Sequence, residues 1–380
     1  MRKPNRTTPT DDFGAGISGQ VESQVSEPTA GDFQDFSSQL VFRDRLLRLL
    51  RAYFHASGFI EVQPPCLSRD CVVDAYLDPI SIPASELRIG AGSLELEWNS
   101  GAAESAEESV DSQKGRALLR DSSARYYLQT SAESAMKRML ADGAPSIFAI
   151  SPVFRSGEVG AKHNVEFTML EWYEVGGNAA SAIALLGNLA AAVFESSGYE
   201  TETYRDAFGR ILGLDPIECD VEKFAALVGD IDTDLAASMA TDRDSLLDVL
   251  LTHRVEKHLG TDTPVILTRY PVTQAALARP CEDDSRFAHR FELFYRGVEL
   301  ANGYDELRDW KELVRRYEIN NEIRRRSGRD ALPVETTLVE AMRRGLPACS
   351  GVAVGVDRLQ MLQTGARSIE EVIPLHSRIA

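Results

Sequence analysis

The chain has 380 residues, with 41 Lys plus Arg against 58 Asp plus Glu and a formal net charge of −17. That sign argues against a protein built to wrap nucleic acid, since phosphate binding needs a positive surface, and the length is ample for a real core. Residues 1–40 (three basic, six acidic) and 86–112 (Arg88 against seven acids) supply nine of the excess charges, so the rest carries about −8 and says less about partners.

Residues 1–38 are poor in large apolar groups and read as a disordered acidic tail. No apolar segment follows MRKPNRTTPT, so no secretory signal is expected. Folded sequence is expected from Leu40, where Phe42, Leu46, Leu49, Leu50 and Tyr53 recur at helical spacing up to a stop at Gly58. Phe59–Val62 reads as a strand that Pro64-Pro65 must end. Residues 84–122 are rich in Ser, Glu and Gly and read as an acidic, mobile insertion. Tyr126–Gln129 reads as a strand, and Ser131–Ala141 as a helix capped by Thr130 or Ser131.

Strands follow at Phe148–Phe154 and Glu166–Val175, around a polar loop 155–164. Residues 179–260 read as mostly helical, notably Ala179–Ser196 and Asp244–Leu259. Strands are expected at Val265–Thr268 and Arg290–Leu300, then helices at Trp310–Arg326 and Leu338–Arg344. Gly351–Val356 is a Gly/Val strand feeding a last helix from Asp357. Strands among long helices without a βαβ rhythm indicate an α+β fold with an antiparallel sheet. The most apolar stretch, Ile183–Phe194, is too short to span a bilayer. Five cysteines without a CxxC pair fit free thiols rather than disulfides or zinc. A cytoplasmic protein without membrane contact is expected.

Three constellations carry chemistry. In Phe154-Arg155-Ser156-Gly157-Glu158, His163-Asn164 and Glu166–Tyr173, strand alternation puts Phe167, Glu171 and Tyr173 on one face, near the loop's Arg155 and His163. Alone, this reads equally well as a hairpin with solvated loop charges. Glu292, Glu299 and Glu306 stand seven apart in FELFYRGVELANGYDEL. On one regular strand the odd step parts Glu292 from Glu299, unless a bulge at Gly297 corrects the parity. Carboxylates on an apolar strand are costly unless they hold a metal or a cation. In Gly351–Leu359, small residues admit a flat ligand and Arg358 offers a fork of donors to a phosphate. A plain core strand would also fit.

In order and spacing these segments resemble the class II aminoacyl-tRNA synthetases. Pro65 stands in a motif 1-like element, Arg155 in a motif 2-like hairpin and Arg358 in a motif 3-like strand and helix. Thr130-Ser131-Ala132-Glu133, HNVEFTMLEWY and ELANGYDEL look like the lysyl branch. With no room for an anticodon-reading domain ahead of residue 39, the resemblance is nearer to stand-alone paralogues that join β-lysine to a lysine of translation elongation factor P. It implies a class II antiparallel sheet flanked by helices over residues 39–380, a homodimer, and ATP with Mg²⁺.

The resemblance also implies roles. Arg155 would grip the α-phosphate and the substrate carboxylate, Arg358 the γ-phosphate, and Phe167 would lie beneath adenine. Glu158, His163, Asn164, Leu300 and Gly355 would complete the nucleotide contacts, and Glu299 with Glu292 would hold Mg²⁺. Glu133 with Ser131 would meet one ammonium of lysine or β-lysine, and Glu171, Tyr173 and Glu306 the other, beside Asn302 and Ala353. Ala353 stands where tRNA-charging relatives usually have Gly, and its methyl would disfavour α-lysine modestly.

The sequence departs from the pattern in places. Gly157 replaces a usual Glu, with Glu158 next to it, and Ala132 and Val165 replace frequent prolines. The insertion is also longer than expected. A truncated lysyl-tRNA synthetase-like enzyme, charging tRNA or another small acceptor, shares the first step and is the alternative; stable binding of nucleic acid is not expected. Residues 308–329 hold eight basic against four acidic side chains, read as a solvated helix or as a docking face.

Overall fold

The computed structural model describes residues 36–87, 125–239 and 241–378. The expected tail up to residue 35 and insertion residues 88–122 lie outside the described residues. The first helix, α1 (Phe36–Ala56), begins ahead of the expected start at Leu40 and buries Leu46, Leu50 and Phe54. It stops as predicted at Gly58, whose φ of 84° suits a residue without a Cβ.

An eight-stranded sheet follows, ordered β1-β5-β6-β11-β10-β9-β8-β7. Its strands are β1 (Ile60–Glu61), β5 (Ile147–Phe154), β6 (Glu166–Val175), β7 (Glu200–Thr203), β8 (Val265–Pro271), β9 (Phe287–Tyr295), β10 (Val298–Asp305) and β11 (Cys349–Gly355). The six inner strands are antiparallel, as expected. At each edge the sheet departs from that expectation, because β1 pairs parallel to β5 and β7 parallel to β8. A small second sheet, β2-β4-β3, joins Leu67–Ser68, Arg125–Leu128 and Ser81–Pro83.

One sheet face is covered by α1 and α3 (Ala179–Phe194), which pack Phe54, Leu186 and Leu189 against Phe148, Trp172, Val352 and Leu293. Toward the other face, α2 (Glu133–Ala141), α8 (Trp310–Arg326) and α9 (Thr337–Gly345) enclose Met136, Leu140, Tyr317 and Leu338. These two cores, on opposite faces of one sheet, leave a cavity between the second face and its helices. Four short helices, α4 (Tyr204–Leu212), α5 (Val221–Gly229), α6 (Thr233–Met239) and α7 (Arg243–Leu250), close a third core around Phe208, Phe224 and Leu250.

Several expectations are corrected. Arg290–Leu300 is not one strand but the hairpin of β9 and β10, turned at Arg296 and Gly297, both with positive φ (49° and 69°). Glu200–Thr203 is a strand inside the stretch expected to be helical. The helix expected over Asp244–Leu259 is α7 followed by a π turn, Leu251–Val255, and a 3₁₀ turn, Glu256–His258. The N-cap of α2 is Ala132, without a side-chain cap. Within α8, Arg324 is buried and donates to the carbonyls of Asp74, Leu77 and Asp330 and to the Asp78 carboxylate, so it fastens loop 74–78 rather than facing a partner.

Candidate active site

The cavity on the second sheet face measures about 360 Å³, and every site residue expected from the sequence lines it except Glu292. Strand register explains the convergence, because directly paired residues of neighbouring strands project to one face. One row runs Glu171–Ala353–Asn302–Glu292 across β6, β11, β10 and β9. The next runs Tyr173–Gly351–Tyr304–Arg290. A Cβ on Gly351 would collide with the Tyr173 ring and with Glu306 Oε1, so glycine is required where these two side chains close the floor.

At one end of the cavity, Glu171 receives the Ser131 hydroxyl at 2.5 Å and the Ala132 N–H at 2.7 Å. Ser131 thus orients a carboxylate of the neighbouring strand. Burial raises Glu171 to about 7, against those two donors. Glu306 is 1% exposed, and burial raises it to about 8 while Lys137 opposes the rise. Its Oε1, like Asn302 Oδ1, has no hydrogen-bond donor among the described residues. Two buried acceptors left without donors, on residues that line the cavity, favour a ligand that carries N–H groups.

Sequence reading missed Lys137. Its ammonium bridges Glu133 on its own helix and Glu306, 2.5 Å away just beyond β10, and lies 5.9 Å from the Tyr173 ring centre. The visible signal was an i,i+4 Glu133–Lys137 pair, which ordinarily marks a solvated helix face.

Elsewhere along the cavity, Arg358 donates to the Glu299 carbonyl at 2.9 Å and to His163 Nε2 at 2.8 Å. A guanidinium has only donors, so the imidazole accepts. Burial, with Arg358 beside it, lowers the His163 pKa and keeps that lone pair free. Arg155 lies 5.1 Å over the Phe167 ring, within 3.7 Å of the Glu158 carboxylate. Glu158, next to Gly157, thus lines the cavity beside Arg155. Asn164 is committed internally, donating to the Glu166 carbonyl and accepting from Ser377.

The parity expectation for Glu292 and Glu299 takes a different form. A register shift does occur, but between Glu299 and Ala301 rather than at Gly297. Glu292 is buried, held by Arg290 and the Tyr270 hydroxyl, whereas Glu299 is 37% exposed at the cavity edge. Burial raises the Glu292 pKa; Arg290 opposes the rise and the Glu299 charge adds to it. Among the described residues no three His, Cys, Asp or Glu side chains stand together as a metal cage. Mg²⁺ commonly uses one or two carboxylates plus substrate phosphates, so a half-exposed Glu299 backed by Glu292 fits that ion. No helix among the described residues is long and apolar enough to cross a membrane.

Residues 111–377 match the model of the family described as tRNA synthetases class II (D, K and N). The chain is 37% identical over 329 residues to the elongation factor P–(R)-β-lysine ligase of Pseudoalteromonas translucida (strain TAC 125), covering 86% of this chain and 92% of that protein. The enzymes of that name from Klebsiella pneumoniae (strain 342) and Salmonella gallinarum (strain 287/91 / NCTC 13346) are 37% and 36% identical, each over 88% of this chain and 93% of theirs. The chain belongs to the class II tRNA synthetase family, in the group that contains the elongation factor P–(R)-β-lysine ligases.

Proposed function

We propose that this chain is an ATP-dependent, AMP-forming ligase that activates lysine or β-lysine and transfers it to a lysine side chain of translation elongation factor P. The observation that carries the reading is the cavity floor, where Glu171, Glu306 and Asn302 offer buried acceptors to a diamine. The curated relatives, whose name joins (R)-β-lysine to elongation factor P, align with most of the chain and favour that acceptor.

In the first step the substrate carboxylate attacks the α-phosphorus of ATP, forming the aminoacyl-adenylate and expelling pyrophosphate. No protein nucleophile is needed, and acceleration comes from positioning and from countering phosphate charge. Arg155, which lines the cavity, serves the reacting carboxylate and α-phosphate. Arg358 serves the outer phosphates, giving up its His163 contact as they arrive. Phe167 offers a flat face for adenine, with Glu158 near its edge, and Leu300 and Gly355 complete the wall. Glu299, backed by Glu292, would hold Mg²⁺, which neutralises phosphate charge when bound.

In the second step an acceptor ε-amine attacks the acyl carbonyl and AMP leaves. The reading takes residues 39–380 as one catalytic domain. It includes a cytoplasmic setting and a homodimer, supported by the apolar Phe36, Leu40, Val41 and Leu49 exposed on α1. ATP–pyrophosphate exchange tests the first step: exchange that depends on lysine or β-lysine is expected, and exchange indifferent to both contradicts it.

A further inference from the structure

Lys137 is 2% exposed, yet no step above uses it. A buried ammonium costs several kcal/mol unless compensated, and one unneeded for folding would be replaced cheaply by an apolar residue. Here it lies between two acids contributed by elements far apart in sequence, Glu133 of α2 and Glu306 just beyond β10. Despite burial, those carboxylates raise its pKa above the ordinary lysine value, so it is a fixed positive charge. Glu306, which lines the cavity, nonetheless keeps Oε1 without a hydrogen-bond donor among the described residues.

The charges at this end of the cavity can be counted. Glu133, Glu171 and Glu306 supply three carboxylates, and Lys137 cancels one. Two negative charges remain for the ligand's ammonium groups, while its carboxylate faces Arg155. Around the pair stand Tyr173 on β6, Tyr304 and Asp305 on β10, Tyr317 on α8 and Cys349 on β11, with Asp70, Cys71 and Arg308 farther out. The cavity-lining Arg290 and Arg316 are paired with Glu292 and Glu312. Asp305 is paired with Arg279, and burial keeps the three phenols and the thiol neutral.

We propose that Lys137 is a positioning and specificity residue of the amino-acid subsite: its ammonium aligns Glu133 with Glu306 and sets the subsite's demand at two ligand ammonium groups. This rests on the adenylation reading above. A monoamine leaves one buried carboxylate without a counter-charge and is rejected, and a diamine satisfies both.

The test is ATP–pyrophosphate exchange by the full chain across pH, with lysine or β-lysine against the monoamine norleucine. Lys137→Met is expected to raise the diamine KM by roughly 30-fold or more, leaving the ATP KM within about threefold. It is also expected to move the acid limb of kcat/KM to higher pH, because the acids lose the cation that favours their ionised forms. Lys137→Arg keeps the charge and should keep the wild-type limb. An unmoved limb and diamine KM in Lys137→Met, or equal rises in both KM values, overturns the proposal.

Should Lys137→Met fail to fold, calorimetry of the wild-type chain in buffers of different ionisation enthalpy decides. Diamine binding near pH 7 is expected to release protons as Glu171 and Glu306 ionise, and norleucine to bind far more weakly. Norleucine binding as tight as diamine binding overturns the charge count. Preference for the diamine over norleucine without exchange overturns the adenylation reading and upholds the two-ammonium demand, and absence of both overturns both.

Discussion

Arg43 Nη1 lies 2.6 Å from Asp357 Oδ1, tying α1 to the first turn of α10 (Val356–Thr364), the helix that carries Arg358. Asp357 Oδ2 accepts the Thr168 N–H on β6, and Arg43 also reaches the Thr168 hydroxyl and Gln360. One guanidinium thus fixes a helix, a strand of the cavity floor and the helix bearing the phosphate-facing arginine. Removing it leaves Asp357 charged and buried. Arg43→Met is expected to destabilise the fold by roughly 3 kcal/mol, read by denaturant unfolding, and to lower exchange more than a matched loss of stability elsewhere does.

Gly351 has no space for a side chain, because Tyr173 and Glu306 fill the position a Cβ would take. Gly351→Ala is expected to shift both groups, costing roughly 1–3 kcal/mol of stability as overpacking does. The diamine KM should rise while the ATP KM changes little, since the collision lies at the amino-acid end. Steady-state exchange with each substrate varied in turn checks this.

Burial raises Glu306 from 4.5 to about 8 and Glu171 from 4.5 to about 7. For an acid whose folded pKa lies above its unfolded one, the native state binds more protons between the two values. Stability therefore falls as pH rises through that window. The ligand-free Tm is expected to decline between about pH 4.5 and 8 from these groups, and Glu306→Gln to flatten the decline. Diamine affinity should move the opposite way, rising with pH over the upper part of the window as the acids ionise. Tm profiles with and without diamine measure both.

Arg358 is held by the Glu299 carbonyl and the neutral His163 ring before any ligand arrives. Arg358→Ala is expected to lower exchange on the order of 100-fold or more, as loss of a charge-stabilising donor does, chiefly in kcat. His163→Ala should leave the guanidinium present but poorly aimed, with a smaller loss. Near-wild-type exchange in Arg358→Ala contradicts its phosphate role.

Much of the site was legible because its residues sit in strands whose alternation is clean. Glu166–Val175 and Trp310–Arg326 have the bounds their patterns indicate. The β9–β10 hairpin was hidden because both strands are apolar and Arg296, a non-glycine, takes positive φ at the turn. Lys137 was hidden for a different reason: only the sheet brings Glu306 to it, across 169 positions of chain. Arg324 shows the same limit, since helical spacing cannot tell a solvated arginine from one buried against loop 74–78. The parallel edge pairs followed no local signal, because β1 is only two residues long.

The most direct test of the central claim is mass spectrometry of elongation factor P incubated with this protein, ATP, Mg²⁺ and either lysine or (R)-β-lysine. The account predicts a gain of one lysyl residue mass on a single lysine, lost in Arg155→Ala and Arg358→Ala. An unmodified factor, alongside tRNA that becomes charged under the same conditions, would contradict it.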